Sequence, residues 1–378
     1  QVFCIEPSLS RVLPFAALVA SAMGQKFAAP SPDSHTDSRL PKAAERQGSA
    51  EFRRLTVMSL NLQYYSSYPA DAVAAERRLL EATAGADVIA VQEGLASRDV
   101  LRKIGYDLAV CAGARGVAQP VREMVYGDAA ALGACPAHLR DELLCNQIYI
   151  RHDSAWEVDG TGVEQISSSL GLAGGDGRCS GRLAARSVVW ARLRQGGASA
   201  CVMCAHISGG RFEDLYFAQR LAHERGAQVE RCADLFQRLR GPGDVGILVG
   251  DFNACEEYEE GGPMQSYFNF GISSAQGVKA DAEKAGWTHA QEFEEHFKAY
   301  MVAPFRALRK RGWTFAYGKE VGVTSAFGHL IDHVALSAPI TVERSEVRYL
   351  TNQRVGGAPP DTDIVITDHN AVVVELLI

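Results

Sequence analysis

The sequence lacks the features that would commit it to a special environment. It has no run of about 18 apolar residues, the length at which a helix spans a bilayer, so it offers no transmembrane helix. It has no excess of basic charge: 38 Lys and Arg stand against 45 Asp and Glu, a formal net charge of -7. A chain-wide positive field that gathers polyanions is therefore missing, although a nuclease can collect positive charge locally. It has no doubled metal-thiolate motif. Of nine cysteines only Cys201 and Cys204 are spaced CxxC, without a second pair, inside an apolar run that reads as buried strand. Internal repeats are absent as well. What is present is ordinary: 47% hydrophobic and 22% charged residues over 378 positions, enough for one large core.

The first 51 residues differ from the rest. Arg11 precedes the apolar stretch 12–22, which ends in Ala20-Ser21-Ala22, and residues 24–51 are rich in Ala, Pro, Ser and Asp without periodicity. The segment reads as a disordered leader, with the apolar stretch either a targeting signal or a chance patch. The main domain is expected over 52–378.

Within it, alternation and short apolar runs predict strands at 55–60, 87–92, 146–150, 186–192, 201–205, 245–249, 331–336, 341–350 and 371–377. Asp71 is placed to cap a helix reaching about residue 84, and a longer helix is expected over 213–240 with a kink near Gly226. Gly196-Gly197 between two strands predicts an antiparallel pair. Residues 171–181 read as a glycine-rich loop and 256–312 as a helical insertion. Strands interspersed with helices in this order predict two packed sheets flanked by helices.

Chemistry collects at the strand ends. Asn61, Glu93, His206, Asp251 with Asn253, and Asp368 with His369 each follow or adjoin a predicted strand, and Asp332 opens another. One such residue is usually a turn former. Several acids, amides and imidazoles fed toward one sheet edge point to a site, because α/β proteins build sites from strand-end loops. Asn146 opens a strand and is a further candidate for substrate contact. Arg186 is either a phosphate ligand or a surface strand residue. His333 is expected to flank the site without acting.

The local words Met58-Ser59-Leu60-Asn61-Leu62, Val91-Gln92-Glu93, Ala205-His206-Ile207, Gly250-Asp251-Phe252-Asn253, Ile331-Asp332-His333-Val334 and Thr367-Asp368-His369-Asn370-Ala371-Val372 occur in that order. Each alone is weak. The ordered set resembles the endonuclease/exonuclease/phosphatase superfamily, over roughly 53–378. The resemblance implies a four-layer α/β sandwich and hydrolysis of a phosphoester by an activated water, with Mg²⁺ or Mn²⁺ as cofactor. It implies Glu93 as principal metal ligand, helped by Asn61 and Asp368. His369 would stand beside the scissile phosphate with Asp332 as its carboxylate partner. Asp251 would position or deprotonate the water, while Asn253 and His206 would hold phosphate oxygens or assist the leaving group. A catalytically silent binding module on the same fold is the alternative, but no motif residue is lost.

Substrate is less legible. Cys204-Ala205-His206-Ile207 departs from the Tyr-x-Pro-Asn word of apurinic-site endonucleases, and Ile247-Leu248-Val249 departs from the Trp-containing word of inositol-polyphosphate 5-phosphatases. The insertion mixes aromatics with the basic cluster Arg306, Arg309, Lys310 and Arg311. That composition suits nucleic acid or a phospholipid or inositol phosphate headgroup. It equally suits a helix core with a basic C-terminus. No protein partner is indicated.

Overall fold

In the computed structural model the described residues are 52–62, 72–94, 97–112, 146–168, 170–173, 180–183, 185–209, 215–256, 290–316, 322–325, 330–350, 367 and 369–378. The expected leader, residues 257–289 of the expected insertion, and Asp368 lie outside them.

Along the chain come β1 (Arg54–Asn61), α1 (Ala72–Thr83), β2 (Val88–Gln92), α2 (Ser97–Lys103), β3 (Tyr106–Ala112), β4 (Asn146–Arg151) and β5 (Glu157–Ser167). Then follow β6 (Leu170–Ala173), β7 (Ser180–Leu183), β8 (Arg186–Gln195), β9 (Ala198–Ala205), α3 (Leu215–Leu239) and β10 (Val245–Asp251). The C-terminal part adds α4 (Ala290–Lys310), β11 (Thr314–Phe315), β12 (Asp332–Leu336), β13 (Thr341–Arg348) and β14 (Ala371–Leu377). Two mixed sheets result among the described residues. One has the order β13-β14-β1-β2-β4-β3 and the other β11-β12-β10-β9-β8-β5; β6 and β7 form a separate hairpin.

The sheets pack face to face because their strands are apolar on both sides. In β1, Leu55 and Val57 face the other sheet with Val88, Val374, Val202, Ile247 and Val334. The alternate residues Met58 and Leu60 face outward, against Leu79 of α1 and Leu101 of α2. The outer face of the second sheet meets α3 and α4 through Met203, Leu248, Phe236 and Phe305. The order helix, sheet, sheet, helix is the expected four-layer sandwich. Each fully buried Val, Leu or Ile in it contributes about 1.5–3 kcal/mol.

Topology puts the site at one edge. β1 runs parallel to β2, and β9 parallel to β10, so all four end on the same side of their sheets. β4, β12 and β14 run antiparallel to these neighbours and begin on that side. At the crowded end of β10, a Cβ on Gly250 would lie 1.8 Å from the Ala205 carbonyl oxygen, so glycine is required there.

Some local expectations need revision. The 171–181 stretch is partly strand: Leu170 to Ala173 pairs antiparallel with Ser180 to Leu183. α3 runs as one element through Gly226, where the missing Cβ faces Ala303 and Ala307 of α4. β3, β5, β11 and α2 were not anticipated. Cys201 and Cys204 are buried, and three residues along a strand put them on opposite faces: Cys201 lies toward the helices and Cys204 between the sheets. They form no shared ligand pair. Burial pushes both thiols up to about 12, so they are inert.

Candidate active site

Both sheets deliver side chains to the shared edge. The first sheet contributes Asn61 at the end of β1, Glu93 just beyond β2 and His369 just before β14. The second contributes His206 after β9, Asp251 and Asn253 at the end of β10, and Asp332 at the start of β12. Asp251 and Asp332 are direct partners across the β10–β12 ladder, which sets their carboxylates side by side.

Asp251 is the hub. Its Oδ2 accepts from Asn61 Nδ2 at 3.0 Å, which ties the two sheets together. Its Oδ1 accepts from the Asn253 backbone N–H at 2.7 Å. His206 Nε2 lies 3.4 Å from Oδ2 and His369 Nε2 lies 3.9 Å from it. On the far side of the ring, His369 Nδ1 donates to Asp332 Oδ2 at 2.8 Å. That contact sets the tautomer and aims Nε2 into the site. Asn253 Nδ2 donates to Ile207 O at 3.0 Å and reaches His206 Nε2 at 3.2 Å. With Nε2 as acceptor, the imidazole proton belongs on Nδ1, which faces Glu93 Oε1 at 3.5 Å.

The backbone is specialised at two of these places. Glu93 and Asn253 are the non-glycine residues with positive φ among the described residues, at 54° and 49°. Left-handed backbone away from glycine tends to gather at functional sites.

The electrostatics separate the acids and bases. Burial, then the charge of neighbouring Asp332, raises the Asp251 carboxyl to about 7. His206 is held well below its ordinary value, first by burial and then by the nearby Arg186 guanidinium. Burial likewise lowers His333 to about 3. The two buried histidines are therefore neutral near pH 7.

The donor set suits a hard divalent cation. Asp251, Asp332 and His369 each offer a ligand atom within 4.8 Å of the others. Asp332 Oδ1 is buried without a hydrogen-bond partner among the described residues. Two adjacent carboxylates in a dry place carry surplus negative charge that a proton or a cation would balance. Glu93 adds a third carboxylate on the opposite side of His206.

No protein-family model matches the sequence, and no curated protein matches it. Solved structures do. An endonuclease/exonuclease/phosphatase from Bacteroides vulgatus aligns over 86% of this chain and 98% of its own, at 13% identity and a TM-score of 0.50. The fold is that of the endonuclease/exonuclease/phosphatase superfamily. A mannosyl-6-phosphatase from Bacteroides thetaiotaomicron aligns over 86% of this chain and all 100% of its own, at 17% identity and TM-score 0.47. D. rerio TDP2 with a single-strand DNA product aligns over 86% and 99%, at 12% identity and TM-score 0.47.

On this superfamily fold, the structure brings together Asn61, Glu93, His206, Asp251, Asn253, Asp332 and His369. Asn146 reaches the same edge, but its Nδ2 donates to the Ser187 carbonyl at 2.7 Å, a bridge between the sheets. Arg186 stands at the start of β8, near enough for its charge to act on His206. In the basic stretch the structure shows ion pairs: Arg309 with Glu256, and Arg311 with Asp234 at 2.6 Å. Tyr300, Phe305 and Trp313 are buried, so these aromatics are helix-packing residues.

Sequence reasoning missed the supports. Thr324 Oγ1 accepts from the backbone N–H of Ile331 at 2.9 Å and of Asp332 at 3.1 Å. Thr367 Oγ1 donates to Asn61 O at 2.8 Å and accepts from His369 N at 3.2 Å. Gly209 is needed for space, since a Cβ there would sit 2.2 Å from Asn253 Cγ. Only the Thr367 position carried a signal, its place inside the Asp368-His369 word. A threonine or glycine in a loop otherwise has no mark in one sequence.

Proposed function

We propose that the chain is a divalent-metal-dependent phosphoesterase that hydrolyses a phosphodiester or phosphomonoester with an activated water. The observation carrying this reading is the convergence of acids, amides and imidazoles from both sheets on the buried carboxylate of Asp251. A Mg²⁺ or Mn²⁺ ion held by Glu93 and Asn61, with Asp368 as the further ligand its motif offers, would neutralise charge on the phosphate and the leaving oxygen.

The remaining steps belong to the chain's own groups. Asp251, raised to about 7, is matched to accept a proton from water near neutral pH. Asn61 and the Asn253 N–H hold its two oxygens in place. Asp332 orients His369 so that Nε2 meets the phosphate. Asn253 offers a neutral amide donor, where another carboxylate would repel the substrate. His206 is neutral with its proton on the Glu93 side, so it acts as a dipole beside the phosphate and adds no charge.

The substrate is a nucleic acid or a phospholipid or inositol phosphate headgroup. Net charge of -7 and the pairing of Arg309 and Arg311 with acids favour the compact headgroup over a long polyanion.

The test is release of nitrophenol from bis(4-nitrophenyl) phosphate and from 4-nitrophenyl phosphate with Mg²⁺ or Mn²⁺, then with EDTA. A parallel panel holds a single-stranded oligonucleotide, a phosphoinositide and sphingomyelin. Metal-dependent turnover is expected, with His369→Ala lowering it by about 10³-fold or more. Turnover that survives EDTA, or none across the panel, would sink the reading.

A further inference from the structure

We propose that Arg225, buried in α3, is a positioning residue that holds the turn after β10 in the one conformation presenting the Asn253 amide to His206. This deepens the hydrolytic reading and rests on it for what the turn is used for.

Arg225 has 0% exposure. Its Nη2 donates to the Phe252 carbonyl at 3.0 Å and also to the Asn253 carbonyl. The guanidinium carbon lies 3.7 Å above the ring centre of Tyr300, which α4 supplies. His333 Nε2 donates to the Ala254 carbonyl at 2.6 Å. Three successive carbonyls, 252 to 254, are thus each taken by a buried side chain.

The need for these donors follows from the backbone. β10 stops at Asp251, and Asn253 turns through φ 49°. Past the ladder, the turn's carbonyls have lost their strand partners, and an unpaired buried carbonyl is costly. A planar guanidinium can serve two neighbouring carbonyls at once and stack on an aromatic face; an ammonium cannot match that geometry. Burying the charge is itself unfavourable. Its place next to the site is explained by what the turn carries.

That turn carries three contacts of the site. The Asn253 N–H holds Asp251 Oδ1 at 2.7 Å, and Asn253 Nδ2 reaches Ile207 O and His206 Nε2. Gly209 confines the amide from the other side, since a Cβ there would overlap it. Arg225 acts on the site through the backbone carbonyls of Phe252 and Asn253.

The experiment uses the full chain and bis(4-nitrophenyl) phosphate with Mg²⁺. Arg225→Lys should lower kcat by about 10-fold or more with KM within about twofold, because a misplaced donor weakens transition-state contacts more than ground-state binding. In an Asn253→Ala background the same change should lower kcat by a smaller factor than in the wild type, because the side-chain contact is already gone while the Asn253 N–H contact to Asp251 remains. Leu235→Ala, elsewhere in α3, should lower Tm and leave kcat unchanged. Tyr300→Leu, which removes the stacking face, should repeat the Arg225→Lys pattern and serves if Arg225 variants do not fold. Wild-type kcat in Arg225→Lys, or an undiminished loss in the Asn253→Ala background, overturns the proposal. Should no phosphate ester be turned over, the hydrolytic reading fails by itself. The positioning role is then read from the side-chain amide NMR signal of Asn253. It should move in Arg225→Lys and stay in Leu235→Ala; an unmoved signal in Arg225→Lys overturns it.

Discussion

Two strand ends bring left-handed backbone to the site, and they are held differently. The turn at Asn253 uses a residue that enters this region readily, and side chains of α3 and β12 take its carbonyls. The turn at Glu93 uses a residue that does not, at φ 54°. There the sheet holds the backbone: Gln92 O accepts from Leu62 N at 2.9 Å, and Val91 is laddered to Leu60 and Gln147. A strained glutamate costs about 1–2 kcal/mol, and a neighbouring pair of strands is stiff enough to enforce it. The difference shows where the fold accepts strain: at the residue proposed above as the metal carboxylate.

The sharpest way to break this comparison is Glu93→Gly. Turnover should fall by about 10³-fold or more as the proposed metal carboxylate is lost. Thermal unfolding should shift upward as about 1 kcal/mol of left-handed strain is relieved. A lower Tm would mean that the contacts of Glu93 outweigh its strain. Asn253→Gly is the matched control at the other turn. Its turnover should fall by about 10²–10³-fold with no rise in Tm, because asparagine already tolerates the conformation.

Gly209→Ala tests the confinement of Asn253 without touching the turn. The added Cβ, 2.2 Å from Asn253 Cγ, must displace the amide. A kcat loss of about 10²-fold is expected from a misplacement of this size. Wild-type kcat would show that the amide's place is not needed.

The smallest effect is on stability against pH in the metal-free protein. Asp251 is raised from 3.8 to about 7, so the folded state binds its proton more tightly than the unfolded state. Its contribution is full below about pH 4 and is lost as pH rises through about 7. His333, lowered from 6.5 to about 3, has the opposite slope. It contributes fully above 6.5, and that contribution is lost as pH falls toward 3. Unfolding by denaturant in EDTA should show the Asp251 decline in the wild type but not in Asp251→Asn. An unchanged profile in the variant would move the titration to another group.

Much of the fold was readable because strands buried on both faces are continuous apolar words. β1, β2, β10, β12 and β14 all lie within a residue or two of their expected places, and β9 begins three residues before its expected start. β5 was not readable. Its burial is mostly on one side, and Gly160 and Gly162 look like loop residues until Trp190 is seen across the ladder. A Cβ on Gly162 would come within 2.7 Å of that ring. The hairpin of β6 and β7 was hidden in the same way by glycine. At the site, residues inside strand-end words were found, and those that act from other elements, Thr324, Gly209 and Arg225, were not.

Which side chains adjoin a strand end is a matter of short-range order, and the amino-acid sequence determined it: apolar runs specify strands, and the polar residues that stop them are their neighbours in the chain. That Asn61 meets Asp251, that Asp332 faces Asp251 across a ladder, and that a helix arginine secures the Asn253 turn were decided only by tertiary structure. Such contacts depend on strand order, register and the stacking of two sheets. Those are set by the burial of the whole core, to which no single stretch of chain holds the key.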